Sequence, residues 1–204
     1  MKKLILAAVV GAFFVSTASA HQATYFMPQV PNPDNMVIDG NDDDWGWIDP
    51  AFGITPDLMF EILGNPFPPP KDDWDVVLFV AWSTQPDNAL YYFARVTDDS
   101  LGLFVENPQE YWKDDSLEII IDADHSSENF NETEQTSGQQ YGVRIKPAAG
   151  QPDTWIFNVP QESILWSTRD PFMIFSWTVD PADAEPLSQP AGTTVSYTYE
   201  ARQQ

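Results

Sequence analysis

The chain of 204 residues contains no cysteine. Disulfides, thiolate nucleophiles and cysteine-ligated zinc or iron–sulfur centres are therefore excluded. Histidine occurs only at His21 and His125, which leaves imidazole acid–base chemistry and most transition-metal centres short of groups. Positive charge is also scarce: nine Lys and Arg stand against 31 Asp and Glu, a formal charge of −22. A field of that sign repels phosphate backbones and anionic lipid, so nucleic acid and membrane surfaces are not expected partners. Beyond the N-terminus no stretch reaches the ~18 apolar residues of a membrane span. What is present is a core-forming composition, 43% hydrophobic and 14% aromatic with eight tryptophans, unlike that of a disordered acidic tail.

Residues 1–20 have the parts of an export signal. Lys2 and Lys3 form a charged start, Leu4 to Val15 an apolar stretch, and Ala18-Ser19-Ala20 a cleavage site. The mature protein is accordingly expected outside the cytoplasm, secreted or periplasmic, with residues 21–36 as a lead-in segment and 37–204 as one domain. A secreted domain without disulfides depends on core packing or on metal ions, and an excess of carboxylates points to structural Ca²⁺.

The remaining pattern is that of short strands. Asp75–Trp82 is a continuous β-branched and aromatic run, as in a strand covered on both faces. Pro86-Asp87-Asn88 marks a turn before Leu90–Val96. Ser116–Asp122, Gln140–Lys146, Thr154–Val159, Ile164–Ser167, Phe172–Val179 and Thr194–Arg202 continue the series. In the last of these, Val195, Tyr197, Tyr199 and Ala201 share one face, and Ser196, Thr198, Glu200 and Arg202 the other. With no amphipathic helix, the expected fold is an all-β antiparallel sandwich of jelly-roll or immunoglobulin-like layering. Because the last strand runs almost to the end of the sequence, a further partner strand is expected beyond it, and the chain reads as a shortened version of such a domain.

The segment YWKDDSLEIIID, Tyr111 to Asp122, carries the most chemistry. If Leu117, Ile119 and Ile121 face the core, Glu118 lies on the opposite face with Trp112 at the rim. An exposed indole beside a carboxylate suits a sugar, whose C–H face stacks on the ring while its hydroxyls donate to the carboxylate. Arg144, on the polar side of a neighbouring strand, is placed to join them. The competing reading is a surface salt bridge between Glu118 and Arg144 and a tryptophan that covers a loop.

VIDG…DW (Val37 to Trp45), FVAW…NALYYFARVTDD (Phe79 to Asp99) and YWKDDSLEIIIDAD (Tyr111 to Asp124), in that order, resemble the family 9 carbohydrate-binding module and its DOMON-like relatives. The resemblance implies a sandwich that binds polysaccharide ends or free sugars between two tryptophans, with structural Ca²⁺ nearby. It implies Trp112 as the first stacking ring, Glu118 as the sugar-binding glutamate and Arg144 as the arginine, although a register shift of one pair puts Gly142 at that place. The family's second tryptophan lies beyond the end of this chain, so Trp155, Trp166 or Trp177 would replace it; Trp177 shares a face with Met173, Phe175 and Val179 and reads as core. A poly- or oligosaccharide is thus the expected partner. The chain itself is expected to be non-catalytic, an accessory to a glycoside hydrolase.

Two acidic stretches qualify as Ca²⁺ loops, Asp39 to Asp44 and Asp122 to Glu128, with Asp39, Asp42, Asp122 and Asp124 as the expected ligands. Neither is an EF-hand, because the sixth positions are Asp44 and Ser127 and the twelfth Pro50 and Thr133. Cleavage after Ala20 leaves His21 at the N-terminus, yet a copper site needs a second imidazole and only His125 is at hand. Haem, or protein interaction at the cell envelope, is the alternative drawn from DOMON-like relatives, with Met36, Met59 or His125 as axial ligands. Hydrolysis by a carboxylate pair requires a cleft with a separation of ~5 or ~6.5–9.5 Å, for which one small sandwich leaves little room.

Overall fold

The computed structural model describes residues 25–59, 67–71, 73–102, 108–122, 138–145, 154–157, 170, 172–182 and 194–204. The expected signal segment, His21, Asp124, His125 and the strand expected at Ile164–Ser167 lie outside these residues. Within them are seven strands: β1 Trp74–Trp82, β2 Leu90–Asp98, β3 Ser116–Asp122, β4 Gly138–Arg144, β5 Thr154–Phe157, β6 Met173–Asp180 and β7 Val195–Gln203. They form two antiparallel sheets, one ordered β1-β2-β7-β6 and the other β3-β4-β5. The fold is all-β and antiparallel, as the sequence pattern indicates. β7 has a neighbour on each side, β2 and β6.

Alternation along the strands decides what meets what. From the larger sheet, Val76, Ala94, Val96, Val179, Tyr197 and Tyr199 pack into one cluster with Val143 and Ile145 of the smaller sheet's β4 and the residue after it. Tyr92, Met173 and Ala201 similarly meet Ile119 and Tyr141. Trp177 packs against the first cluster and is a core residue, as its face indicates.

The other face of the larger sheet is covered too. Val30, Trp45 and Ile48 from the N-terminal segment bury against Ala81, Tyr91 and Phe93, and the Trp45 ring lies 5.7 Å from that of Phe93. The same segment closes the open edge of β1 through backbone bridges, Gln29 to Trp82 and Ile54 to Leu78, which removes a template for edge pairing. Residues 25–36, part of the expected lead-in segment 21–36, contribute a buried side chain, Val30, and backbone pairing.

Glu200 of β7 fastens this layer. It is 0% exposed, and its carboxylate accepts from the backbone N–H of Asp39 and of Gly40, each at 2.8 Å, and from the Trp45 indole at 2.9 Å. Burial pushes Glu200 up to about 7, against the pull of those three donors. Gly40 has φ +86°, and a Cβ there would come within 2.8 Å of the Trp177 backbone, so both its left-handed conformation and the close approach require glycine. The physical content of VIDG…DW is therefore a docking device: a glycine that lets the chain approach β6 and a tryptophan that donates to a buried carboxylate.

Candidate functional site

The smaller sheet carries the residues singled out in YWKDDSLEIIID. On β3, Ile119 is buried and Leu117 and Ile121 pack toward the core, which places Ser116, Glu118 and Ile120 on the other face. Pairing across the sheet sets the neighbours there: Ser116 opposite Arg144, Glu118 opposite Gly142, Ile120 opposite Gln140. On β5, Trp155 stands opposite Gly142. Directly paired residues share a face, so Glu118, Gly142 and Trp155 form one row. Strands are roughly 4.8 Å apart, and Gly142 has no side chain, so a carboxylate and a half-buried indole flank a bare strip of backbone. Gln140 donates from Nε2 to Glu118 Oε2 at 2.8 Å, which orients the carboxylate.

Trp112 belongs to a 3₁₀ segment, Pro108–Lys113, that runs against β3, β4 and β5. Its side chain is 60% exposed. Lys113 Nζ lies 5.8 Å from the ring centroid and donates to Glu110 at 2.6 Å, so an ion-paired cation stands beside a largely exposed indole.

Arg144 is on the expected face, and its surroundings differ from a surface arginine's. It is 1% exposed, and Nη1 donates to Asp114 Oδ2 at 3.2 Å. Register separates it from Glu118 by one pair, with Gly142 directly opposite the glutamate. Asp114 follows Trp112 by two residues, so the buried ion pair ties the turn that presents the indole to the middle strand of the sheet. Asp114 and Gln140 are the parts that reading the sequence did not single out; Glu118, Gly142 and Trp155 were each named there, but not as one row. A signal for the row was present in the alternation of β4 and β5, but only the register joins them.

At the acidic N-terminal stretch three of the four carboxylates, those of Asp39, Asp42 and Asp44, have protein partners. Asp39 Oδ1 accepts from Asn41 N at 2.8 Å, Asp44 Oδ2 from Val37 N at 2.6 Å, and Asp42 is ion-paired with Arg95. These groups serve the loop and the larger sheet, and they do not converge as a donor set for a cation. Among the described residues no group of three or more His, Asp or Glu gathers as a metal site. The Asp122 side chain and Asp124 lie outside the described residues.

With this geometry in view, residues 80–159 match the model of a family described as carbohydrate family 9 binding domain-like. The matched stretch includes Trp112, Glu118, Gly142, Arg144 and Trp155. No curated protein and no solved structure matches the chain.

Proposed function

We propose that the protein is a non-catalytic carbohydrate-binding domain that holds a sugar ring against Trp112, with Glu118 accepting hydroxyl hydrogen bonds. The observation that carries this reading is the match of residues 80–159 to a carbohydrate-binding family, a stretch that includes the exposed Trp112 and, on β3, the carboxylate of Glu118 oriented by Gln140. Trp155, across bare Gly142 from Glu118, serves as the second apolar wall. The part of Arg144 is that of a positioning residue: its guanidinium, committed to Asp114, holds the Trp112 turn. A poly- or oligosaccharide is the partner, export follows from the signal-like first 20 residues, and a glycoside hydrolase is the natural associate.

Calorimetric titration with a panel of mono- and oligosaccharides tests the proposal. A sugar in the panel binds the wild type, and Trp112→Ala abolishes the heat while the melting temperature stays within ~2 °C, since exposed substitutions cost little. Glu118→Gln weakens binding about tenfold, as expected for loss of a hydrogen bond to a charged group. Absence of heat at millimolar sugar across the panel would refute the reading, and so would a Trp112→Ala variant that binds normally.

Structural Ca²⁺ is kept as a proposal for the stretch that begins at Asp122, because the donors at Asp39 and Asp42 do not fit it. EDTA is expected to lower the melting temperature and CaCl₂ to restore it, through a stabilisation of about 2.7 kcal/mol at a hundredfold excess over Kd. NaCl at matched ionic strength screens repulsion without ligating and restores less. Asp39→Asn and Asp42→Asn leave the response intact. A melt indifferent to chelation sinks the calcium proposal.

A further inference from the structure

A cavity of about 340 Å³ lies where the two sheets meet, walled by Val76, Leu78 and Val96 of the larger sheet and Leu117 of the smaller. That volume is at the low end of the roughly 300–1,000 Å³ of ligand pockets. Its β3 wall is the core-facing Leu117, on the opposite face from Glu118, and neither Trp112, Glu118 nor Trp155 lines it. Its lining is not purely apolar: Trp74, Tyr197 and Tyr199 contribute rings, and Asp114 and Asp115 contribute carboxylates. Tyr199 is 2% exposed, and its ring, 6.2 Å from that of Phe175 and edge-on to that of Tyr197 at 5.6 Å, gives the cavity a fixed aromatic wall.

The charge of the cavity selects the ligand. Asp114 is balanced by Arg144, whereas among the described residues Asp115 meets a backbone N–H, that of Gly102 at 2.6 Å, and the hydroxyl of Tyr197. Asp98 adds a further negative charge nearby. Desolvation raises Asp115 to about 6, so at pH 7.5 it is an anion in an apolar setting, and among the described residues no cation is paired with it. An anionic ligand is repelled, and a polyhydroxylated sugar finds apolar walls. A bare metal ion finds too few oxygens. We infer that this cavity binds a small organic ammonium ion with an apolar group, its cation set between Asp115 and the faces of Trp74, Tyr197 and Tyr199, its apolar part against the valine and leucine wall. Aromatic faces together with a desolvated carboxylate are the chemistry that holds such ions.

The test uses the full chain in 150 mM NaCl with three probes of similar shape, 2-phenylethylamine, 2-phenylethanol and phenylacetate, followed by calorimetry and thermal shift. The amine is expected to bind about tenfold more tightly than the alcohol, and phenylacetate not at all. Asp115→Asn keeps an acceptor for Gly102 and removes the charge, so it weakens the amine about tenfold and leaves the alcohol unchanged. Ala94→Leu fills the cavity and abolishes binding of both while leaving every surface carboxylate in place. Equal affinity for amine and alcohol overturns the inference, as does amine binding that survives Ala94→Leu, which marks general attraction to an acidic surface. Should Ala94→Leu not fold, Asp115→Asn decides: an amine affinity unchanged in that variant is equally fatal. Sugar binding at Trp112 is unaffected by the amine, so each reading fails on its own measurement.

Discussion

Asp114→Ala is expected to destabilise the protein by about 3 to 5 kcal/mol, because it takes away the carboxylate that balances a buried guanidinium. Both side chains are almost fully enclosed, at 2% and 1% exposure for Arg144 and Asp114, so water cannot replace the lost partner. At roughly 2–4 °C per kcal/mol for a domain of this size, the melting temperature falls by about 6 to 20 °C. Asp114→Leu combined with Arg144→Met restores most of the loss, since an apolar pair of similar volume carries no desolvation cost. Sugar affinity separates the two roles of the pair. In Asp114→Ala it drops even at temperatures where the variant is folded, because the turn that presents Trp112 has lost its tie to β4. A single variant of either residue that melts like the wild type refutes the buried clamp.

Glu200→Ala has the second large effect, about 3 kcal/mol. It leaves the Trp45 indole and the N–H groups of Asp39 and Gly40 without an acceptor, each a cost of about 1–3 kcal/mol before the segment relaxes toward water. Part of that is offset by no longer burying a carboxylate. The N-terminal segment opens first, so hydrogen exchange at Asp39 to Trp45 rises before that of β2 or β7. The pH dependence has a definite sign. Burial raises Glu200 to about 7 and Asp115 to about 6, both above their unfolded values. The folded state therefore holds more protons than the unfolded one between roughly pH 4.5 and 7, and stability increases as pH falls from 8 toward 5. Relief of repulsion in a chain of charge −22 acts in the same direction. Glu200→Gln removes the part of the response centred near 7 and leaves the part near 6; a melting temperature that declines on acidification from pH 8 to 6 contradicts this assignment.

Much of the architecture was legible because strand periodicity is a local property. The β-branched run at Asp75–Trp82, the alternation at Thr194–Arg202 and the turn at Pro86–Asn88 each carry their own signal, and β1, β7 and the turn lie within a residue of where those signals put them. The face of β3 that bears Glu118 followed from the same alternation, and so did the core placement of Trp177. The exposed indole of Trp112 and the resemblance over its segment were likewise matters of adjacent residues.

Everything that depends on which distant strand lies beside which came from the tertiary structure. Register alone decided that Gly142, not Arg144, faces Glu118, and that Trp155 completes the row. The sequence of β4 reads the same under a shift of one pair of residues, so no local pattern distinguishes these partners. Burial of polar groups is equally non-local. Arg144 and Glu200 sit at positions whose alternation marks a polar face, yet Asp114 encloses one and the Asp39–Trp45 segment the other. Whether a charged residue on that face meets water or a partner depends on what a separate part of the chain lays over it. The sequence by itself determined strands, faces and an aromatic–carboxylate segment, because these are set by neighbours along the backbone; packing decided the partners, the buried clamps and the cavity, because those energies exist only between segments far apart in the chain.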